Sequence, residues 1–296
     1  MDNRITNITL QTLLRSLGDL LMPRVCAVCG RQLLAQERHL CLVCEAGIPF
    51  TRFEGLVHNP MADKYNSLVE SSRYERAAAL FYYAGDYRKI TQALKYGRNF
   101  SLGRRAAREL GTRLAASGLW HGVNIVCPVP LHWTRRWRRG YNQASVIARE
   151  VALALRSAAS CHSERPFCHS ARPFCHSERP FCHSERPFCH SERAQRVEES
   201  PPFALFVPTL LRRVRRTGTQ TRLAQEARSV NVSGAFCVRE RVARRLRKQI
   251  GPDLNEILII DDVCTTGATL ASCYAALRGA FGPDVRISAA TLAFVE

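Results

Sequence analysis

Two groups of residues in this chain have the types and spacing to do chemistry. The first is Asp261 and Asp262, followed by Thr265, Thr266, Gly267, Ala268 and Thr269, in the stretch ILIIDDVCTTGATL (257–270). Branched apolar residues running into two carboxylates describe a buried strand whose end meets a ligand. In a parallel sheet, ligands sit beyond the carboxyl ends of strands. There the two aspartates can accept hydrogen bonds from paired hydroxyls, and Thr265, Thr266 and Thr269 can donate. Gly267 and Ala268 let backbone N–H groups close around a phosphate at a helix N-terminus. Vicinal hydroxyls beside a phosphate describe a ribose 5-phosphate. Neither the GxxxxGK[ST] loop of nucleoside triphosphatases nor the GxGxxG turn of dinucleotide-binding folds is present.

The second group is Cys26, Cys29, Cys41 and Cys44, two CxxC pairs eleven residues apart. Four thiolates on two tight turns can close a tetrahedron around zinc, and a closed shell is structural because it leaves no position for substrate. Gly30 follows the first pair, where a knuckle turn calls for positive φ. His39 is not needed as a ligand. Two disulfides, or a redox CxxC, are the other readings; a reducing compartment argues against the first and the doubled pair against the second.

A third run is basic and aromatic: Trp133, Arg135, Arg136, Trp137, Arg138 and Arg139, with Tyr141 beyond. Arginines can take phosphates while indoles stack on single-stranded bases. The same run can hold a diphosphate, or lie as a solvated loop with its rings tucked onto the body. Arg212 to Arg216 form a second basic run. The formal charge of +18, from 43 Lys and Arg against 25 Asp and Glu, favours phosphate-rich partners of either kind.

These residues need a scaffold. AAALFYYA (77–84), VNIVCPVPL, FALFV, SGAFCV, EILIIDD and VRISAATLAF read as strands; DYRKITQALKYG, LGRRAARELGTRLAAS, NQASVIAREVALAL and TLASCYAALRGAFG read as helices. Strands alternating with helices predict an α/β fold with a largely parallel sheet. With 296 residues, 46% of them hydrophobic, the chain can build one ordinary core and a small satellite. No apolar run reaches the roughly 20 residues that span a bilayer. ITNITLQTLLRSLGDLL near the N-terminus reads as an amphipathic helix and lacks the apolar core of a signal peptide, so a cytoplasmic location is expected.

Residues 161–193 repeat CHSERPF with a period of seven, and carry five of the thirteen cysteines and five of the nine histidines. Pro166, Pro173, Pro180 and Pro187 break a helix in each of the four full copies. One Phe per copy cannot bury a core, so 158–202 reads as a disordered low-complexity insertion in a loop of the α/β domain. Its Cys-His pairs are poorly placed to chelate one ion, because neighbouring side chains on an extended chain point apart.

Ile257 to Thr269 resembles the phosphoribosyl-diphosphate (PRPP) motif of type I phosphoribosyltransferases. Together with the four-cysteine knuckle, ALKYG (93–97), CPVPLHWTRRWRRGYNQA (127–144) and GTQTRLAQEARSVNVSGAF (218–236), the chain resembles the ComF family, competence-associated phosphoribosyltransferase-like proteins. The resemblance implies a zinc module over 1–55 and a type I phosphoribosyltransferase-like domain over 56–296. It implies that Asp261 and Asp262 meet the ribose hydroxyls and Thr265 to Thr269 the 5-phosphate, with Arg139 and Gly140 in the PRPP-binding set and Mg2+ arriving with the diphosphate. It also implies a role in DNA uptake, with single-stranded DNA and the uptake machinery as partners. A phosphoribosyltransferase acting on an unidentified nucleobase or amine remains the alternative. One departure is visible: Gly97 follows Lys95-Tyr96 directly, where the family tends to place a basic residue before the glycine.

Overall fold

A computed structural model describes residues 24–95, 100–131, 140–163, 204–214 and 234–296. Its centre is a five-stranded sheet in the order β1-β7-β6-β2-β3, every pair parallel. The strands are β1 (Ala77–Tyr82), β2 (Val123–Pro128), β3 (Leu205–Phe206), β6 (Glu256–Cys264) and β7 (Arg286–Phe294). Two short strands, β4 (Leu211–Arg213) and β5 (Phe236–Val238), form a separate antiparallel ribbon. Seven α-helices are described: α1 (Leu42–Ala46), α2 (Pro60–Asn66), α3 (Arg88–Lys95), α4 (Phe100–Ala116), α5 (Gln143–Ser163), α6 (Glu240–Ile250) and α7 (Ala268–Phe281). The expected α/β architecture is what the chain adopts.

The central strand explains itself. Ile257 to Ile260 are fully buried, as a strand flanked by paired neighbours and covered on both faces requires. Helix α5 packs against β2 and β6, and α7 against β6 and β7. Helices α4 and α5 lie close together at Gly111, where an added Cβ would stand 2.7 Å from the Ala154 side chain and 3.0 Å from the Val151 backbone. A methyl there would push the pair apart, so the small residue sets their approach. At the amino ends of the strands, buried carboxylates are matched to arginines: Glu75 to Arg278 at 2.7 Å and Glu256 to Arg76 at 3.4 Å.

The cysteine knuckle docks on this body through polar staples. Lys89 of α3 donates to the Val28 carbonyl (2.7 Å), the Tyr87 hydroxyl to the Cys44 carbonyl (3.2 Å), and Arg105 of α4 pairs with Glu45. His39 is hydrogen-bonded through Nε2 to the Ser101 hydroxyl at 2.9 Å. Residues 49–51 then run beside β1 as an antiparallel extension, with Thr51 N–H donating to Leu80 and Tyr82 N–H to Pro49.

Some elements differ from expectation. Helix α5 runs on to Ser163, three residues into the first repeat copy, because its first proline stands only at 166. Strands β3 and β5 are shorter than their apolar runs, and β4 and α6 carry too many arginines to have been noticed. The N-terminal stretch 1–23 and the tract 164–203 lie outside the described residues. Among the described residues, no helix is long and apolar enough to cross a membrane.

Candidate functional site

The acidic turn is built by a difference in strand length. Strand β2 follows β6 only as far as Pro128 beside Ile260, and the Val129 N–H donates to the Ile260 carbonyl at 2.8 Å. On the other side β7 continues to Phe294 beside Cys264. Asp261 and Asp262 therefore project past β2 while β7 still holds them. Both are part-exposed, and the Asp262 N–H donates to Asp261 Oδ1 at 2.8 Å. Successive strand residues address opposite faces, so the pair straddles the strand end.

The chain then turns through Thr265, Thr266 and Gly267 into α7. Gly267 has φ +77°, in the left-handed region, and an added Cβ would lie 2.9 Å from Leu68 Cδ1. Glycine meets both demands. No side chain caps α7, and the Ala271 N–H closes the first helical bond on the Gly267 carbonyl. The N–H groups of Ala268, Thr269 and Leu270 thus precede the intrahelical ladder, as in helix termini that accept anions. Thr265 is exposed and Thr269 half-buried. Cys264 is buried just before the turn, and burial pushes its thiol up to about 12, so it is no nucleophile. Lys64 of α2, which no sequence motif marked, lies beside the turn and donates to the Val295 carbonyl at 3.0 Å.

The four-cysteine cluster fits a metal ion. The sulfurs of Cys26, Cys29, Cys41 and Cys44 all lie within 4.8 Å of one another, and Cys29 and Cys41 are 3.7 Å apart. Thiolates at about 2.3 Å from zinc stand about 3.8 Å from each other in a tetrahedron. Burial pushes the Cys26 thiol up, but N–H groups of Cys29, Cys41 and Val28 outweigh it and bring the thiol down to about 6. Burial, then hydrogen bonds that the Cys44 thiol donates to the other sulfurs, raise it to about 12. Such a set ionises together only when a cation shares the charge. Gly30 has the positive φ (+76°) that its place after the first pair called for. The loop between the pairs is held by Glu37, 4% exposed, whose carboxylate accepts from the Leu34 and Leu42 N–H groups at 2.8 Å each. Those two bonds hold its carboxyl below the usual range. Sequence reading passed over Glu37, because a lone glutamate between cysteines looks like surface charge.

Two basic clefts gather arginines that are scattered in the sequence, of which the sequence reading marks only the Arg212 to Arg216 run. One, of about 670 Å³, lies between the knuckle and α4, with Arg38 and His39 on one side and Ser101, Arg104, Arg105 and Arg108 on the other. The second, of about 720 Å³, shares Arg104 and adds Arg149, Arg212, Arg213 and Arg239. Gly140 (φ +79°) lines this second cleft. So does Asn142, whose Nδ2 donates to the Val129 carbonyl at 3.0 Å. The acidic turn lines neither cleft. Trp133, Arg135, Arg136, Trp137, Arg138 and Arg139 lie outside the described residues, as do Gly97 and residues 215–233.

No protein-family profile matches this chain. Its sequence is similar to the curated "Competence protein F" of Haemophilus influenzae (strain ATCC 51907 / DSM 11121 / KW20 / Rd), with 27% identity over 90 residues. That segment is 29% of this chain and 39% of the Haemophilus protein, so the match spans well under half of either. The similarity supports a ComF-like relationship over that segment.

Proposed function

We propose that the chain binds Mg-PRPP at the turn joining β6 to α7, binds single-stranded DNA, and serves DNA uptake as a ComF-like protein in the cytoplasm. The observation that carries the reading is that turn. It combines two carboxylates projecting past β2, a left-handed glycine and an uncapped helix N-terminus on one short segment. Asp261 and Asp262 would accept from the ribose hydroxyls. The N–H groups of α7, with Thr265, Thr266 and Thr269, would donate to the 5-phosphate, and Mg2+ would neutralise the diphosphate. The partial similarity to Competence protein F supports the biological role, and the net charge of +18 suits an anionic partner. Zinc on the four cysteines would hold the knuckle closed.

The second reading, a phosphoribosyltransferase, draws on the same two carboxylates. Fixed negative charge there suits the positive charge that develops at a ribosyl carbon as diphosphate departs.

The test is calorimetric titration with PRPP and Mg2+, comparing the wild type with Asp261→Asn/Asp262→Asn. An amide loses the charge and keeps only one acceptor oxygen beside a donor, so the double variant should bind at least tenfold more weakly, at about 1.4 kcal/mol per factor of ten. Its melting temperature should hold. Equal affinity in both proteins sinks the assignment. Diphosphate release measured on the same samples, with candidate nucleobases and amines added, separates the binding protein from the enzyme.

A further inference from the structure

Outside the acidic turn and the cysteine cluster, the described residues form a basic groove between the knuckle and α4. We infer that this groove holds the phosphodiester backbone of a single strand of nucleic acid, with the cysteine module forming one of its banks. The inference rests on the single-stranded DNA reading above and names where on the protein that strand lies.

Charge comes first. Arg38 stands on the knuckle bank; Arg104, Arg105 and Arg108 stand on the helix bank. Two carboxylates face these four cations: Glu150, 3.1 Å from Arg108 and 3.9 Å from Arg104, and Glu45, paired with Arg105. The side chains of Arg104, Arg105 and Arg108 remain 57%, 52% and 68% exposed. The Arg105–Glu45 pair, exposed on both sides, contributes at most about 1 kcal/mol, so a phosphate can displace Glu45 at little cost. The Glu150 side chain is only 11% exposed, so Arg104 and Arg108 keep it and meet a phosphate with their remaining N–H donors.

Spacing comes second. Arg104 and Arg108 are one helical turn apart, a rise of about 6 Å. That separation suits neighbouring phosphates of an extended strand. The groove, of about 670 Å³, is walled by the knuckle on one side and α4 on the other.

Continuity comes third. Arg104 and Glu150 also line the cleft that holds Arg149, Arg212, Arg213 and Arg239. Phe100, in the wall of the first groove, and Tyr141, in the wall of the second, have ring centroids 4.4 Å apart. Arginines that track a backbone, with aromatic rings beside them, are the recurring design of single-strand channels. The metal module acquires a purpose beyond stability, because Arg38 and His39 sit three and two residues before the ligand Cys41. His39 is fastened across the groove to Ser101 at 2.9 Å.

The experiment is fluorescence anisotropy of a labelled oligothymidylate against the full chain at several salt concentrations. Arg38→Ala/Arg108→Ala should bind more weakly, and the magnitude of its log–log salt slope should fall by about 1.4, at about 0.7 per phosphate contact. Glu150→Gln should bind more tightly than the wild type, because it releases Arg104 and Arg108. Melting temperatures check folding, and Arg38→Glu alone carries the test if the double variant is unstable. If the wild type binds but the arginine variants match its affinity and slope, the groove is overturned and the DNA reading stands. If the wild type does not bind the oligonucleotide, both fall. Equal affinity for a duplex of the same length also overturns the groove.

Discussion

Glu37 does at the scale of one side chain what a helix cap does for an element. Its two oxygens each satisfy one N–H of the loop that carries the cysteine pairs, and Arg31 stands 3.4 Å from one of them. Glu37→Ala strands both donors and should lower the melting temperature by several degrees in thermal denaturation. Glu37→Gln keeps one acceptor and should fall between. Because the folded carboxyl is held below its ordinary value, its contribution is present above the unfolded value near 4.3. That contribution is lost as pH falls through the folded value, so the gap between wild type and Glu37→Gln should close in acid. A gap that widens in acid would contradict this role. Gly267 is the second such residue. Gly267→Ala must hold a left-handed conformation at a cost of about 1–2 kcal/mol, and its methyl meets Leu68 at 2.9 Å. Urea unfolding should show that loss, and Mg-PRPP titration should show weaker binding as the turn shifts. Unchanged stability would mean that the turn rearranges freely.

Among the elements, legibility tracked contrast. The apolar run of β6 ending on two aspartates, and the small polar turn after it, announced a strand, its end and the helix to follow. The CxxC spacing announced the cluster, because thiol chemistry leaves few other uses for it. Helix α6 was illegible: it buries Ala243, Leu246 and Ile250 but surrounds them with arginines, so its pattern reads as charge before it reads as a helix. Strand β4 has three residues, two of them arginine, and owes its existence to pairing with β5 rather than to its own preference. The arginine groove was hidden for another reason. Arg38 and Arg108 are seventy residues apart in sequence, and only the docking of the knuckle on α4 joins them. The sequence reading treats the repeat tract as an insertion between α5 and β3. Deleting 165–200 should therefore leave the melting temperature and Mg-PRPP affinity within error of the full chain; a large loss of either would show that the tract contributes to the body.

For the whole molecule, the knuckle is not an appendage. Cys26, Val28, Leu33, Leu40 and Cys41 belong to the same buried cluster as the sheet residues. Structural zinc sites contribute on the order of 10 kcal/mol of apparent binding energy. Adding a strong chelator, or Cys29→Ser, should accordingly lower the melting temperature of the entire chain in one cooperative transition. A separate low-temperature transition, with the body unmoved, would mean that the module folds alone. The His39–Ser101 bond carries a further consequence. One wall of the groove is anchored by the metal and the other by the helix, so whatever spans the two must favour the state in which both are in place. Binding free energies are reciprocal: if the metal helps the protein hold a strand, a bound strand must help it hold the metal by the same factor. A single-stranded oligonucleotide should therefore raise the zinc affinity of the protein in equilibrium competition with a colorimetric chelator, and Arg38→Ala/Arg108→Ala should abolish that gain while leaving the zinc affinity without oligonucleotide unchanged.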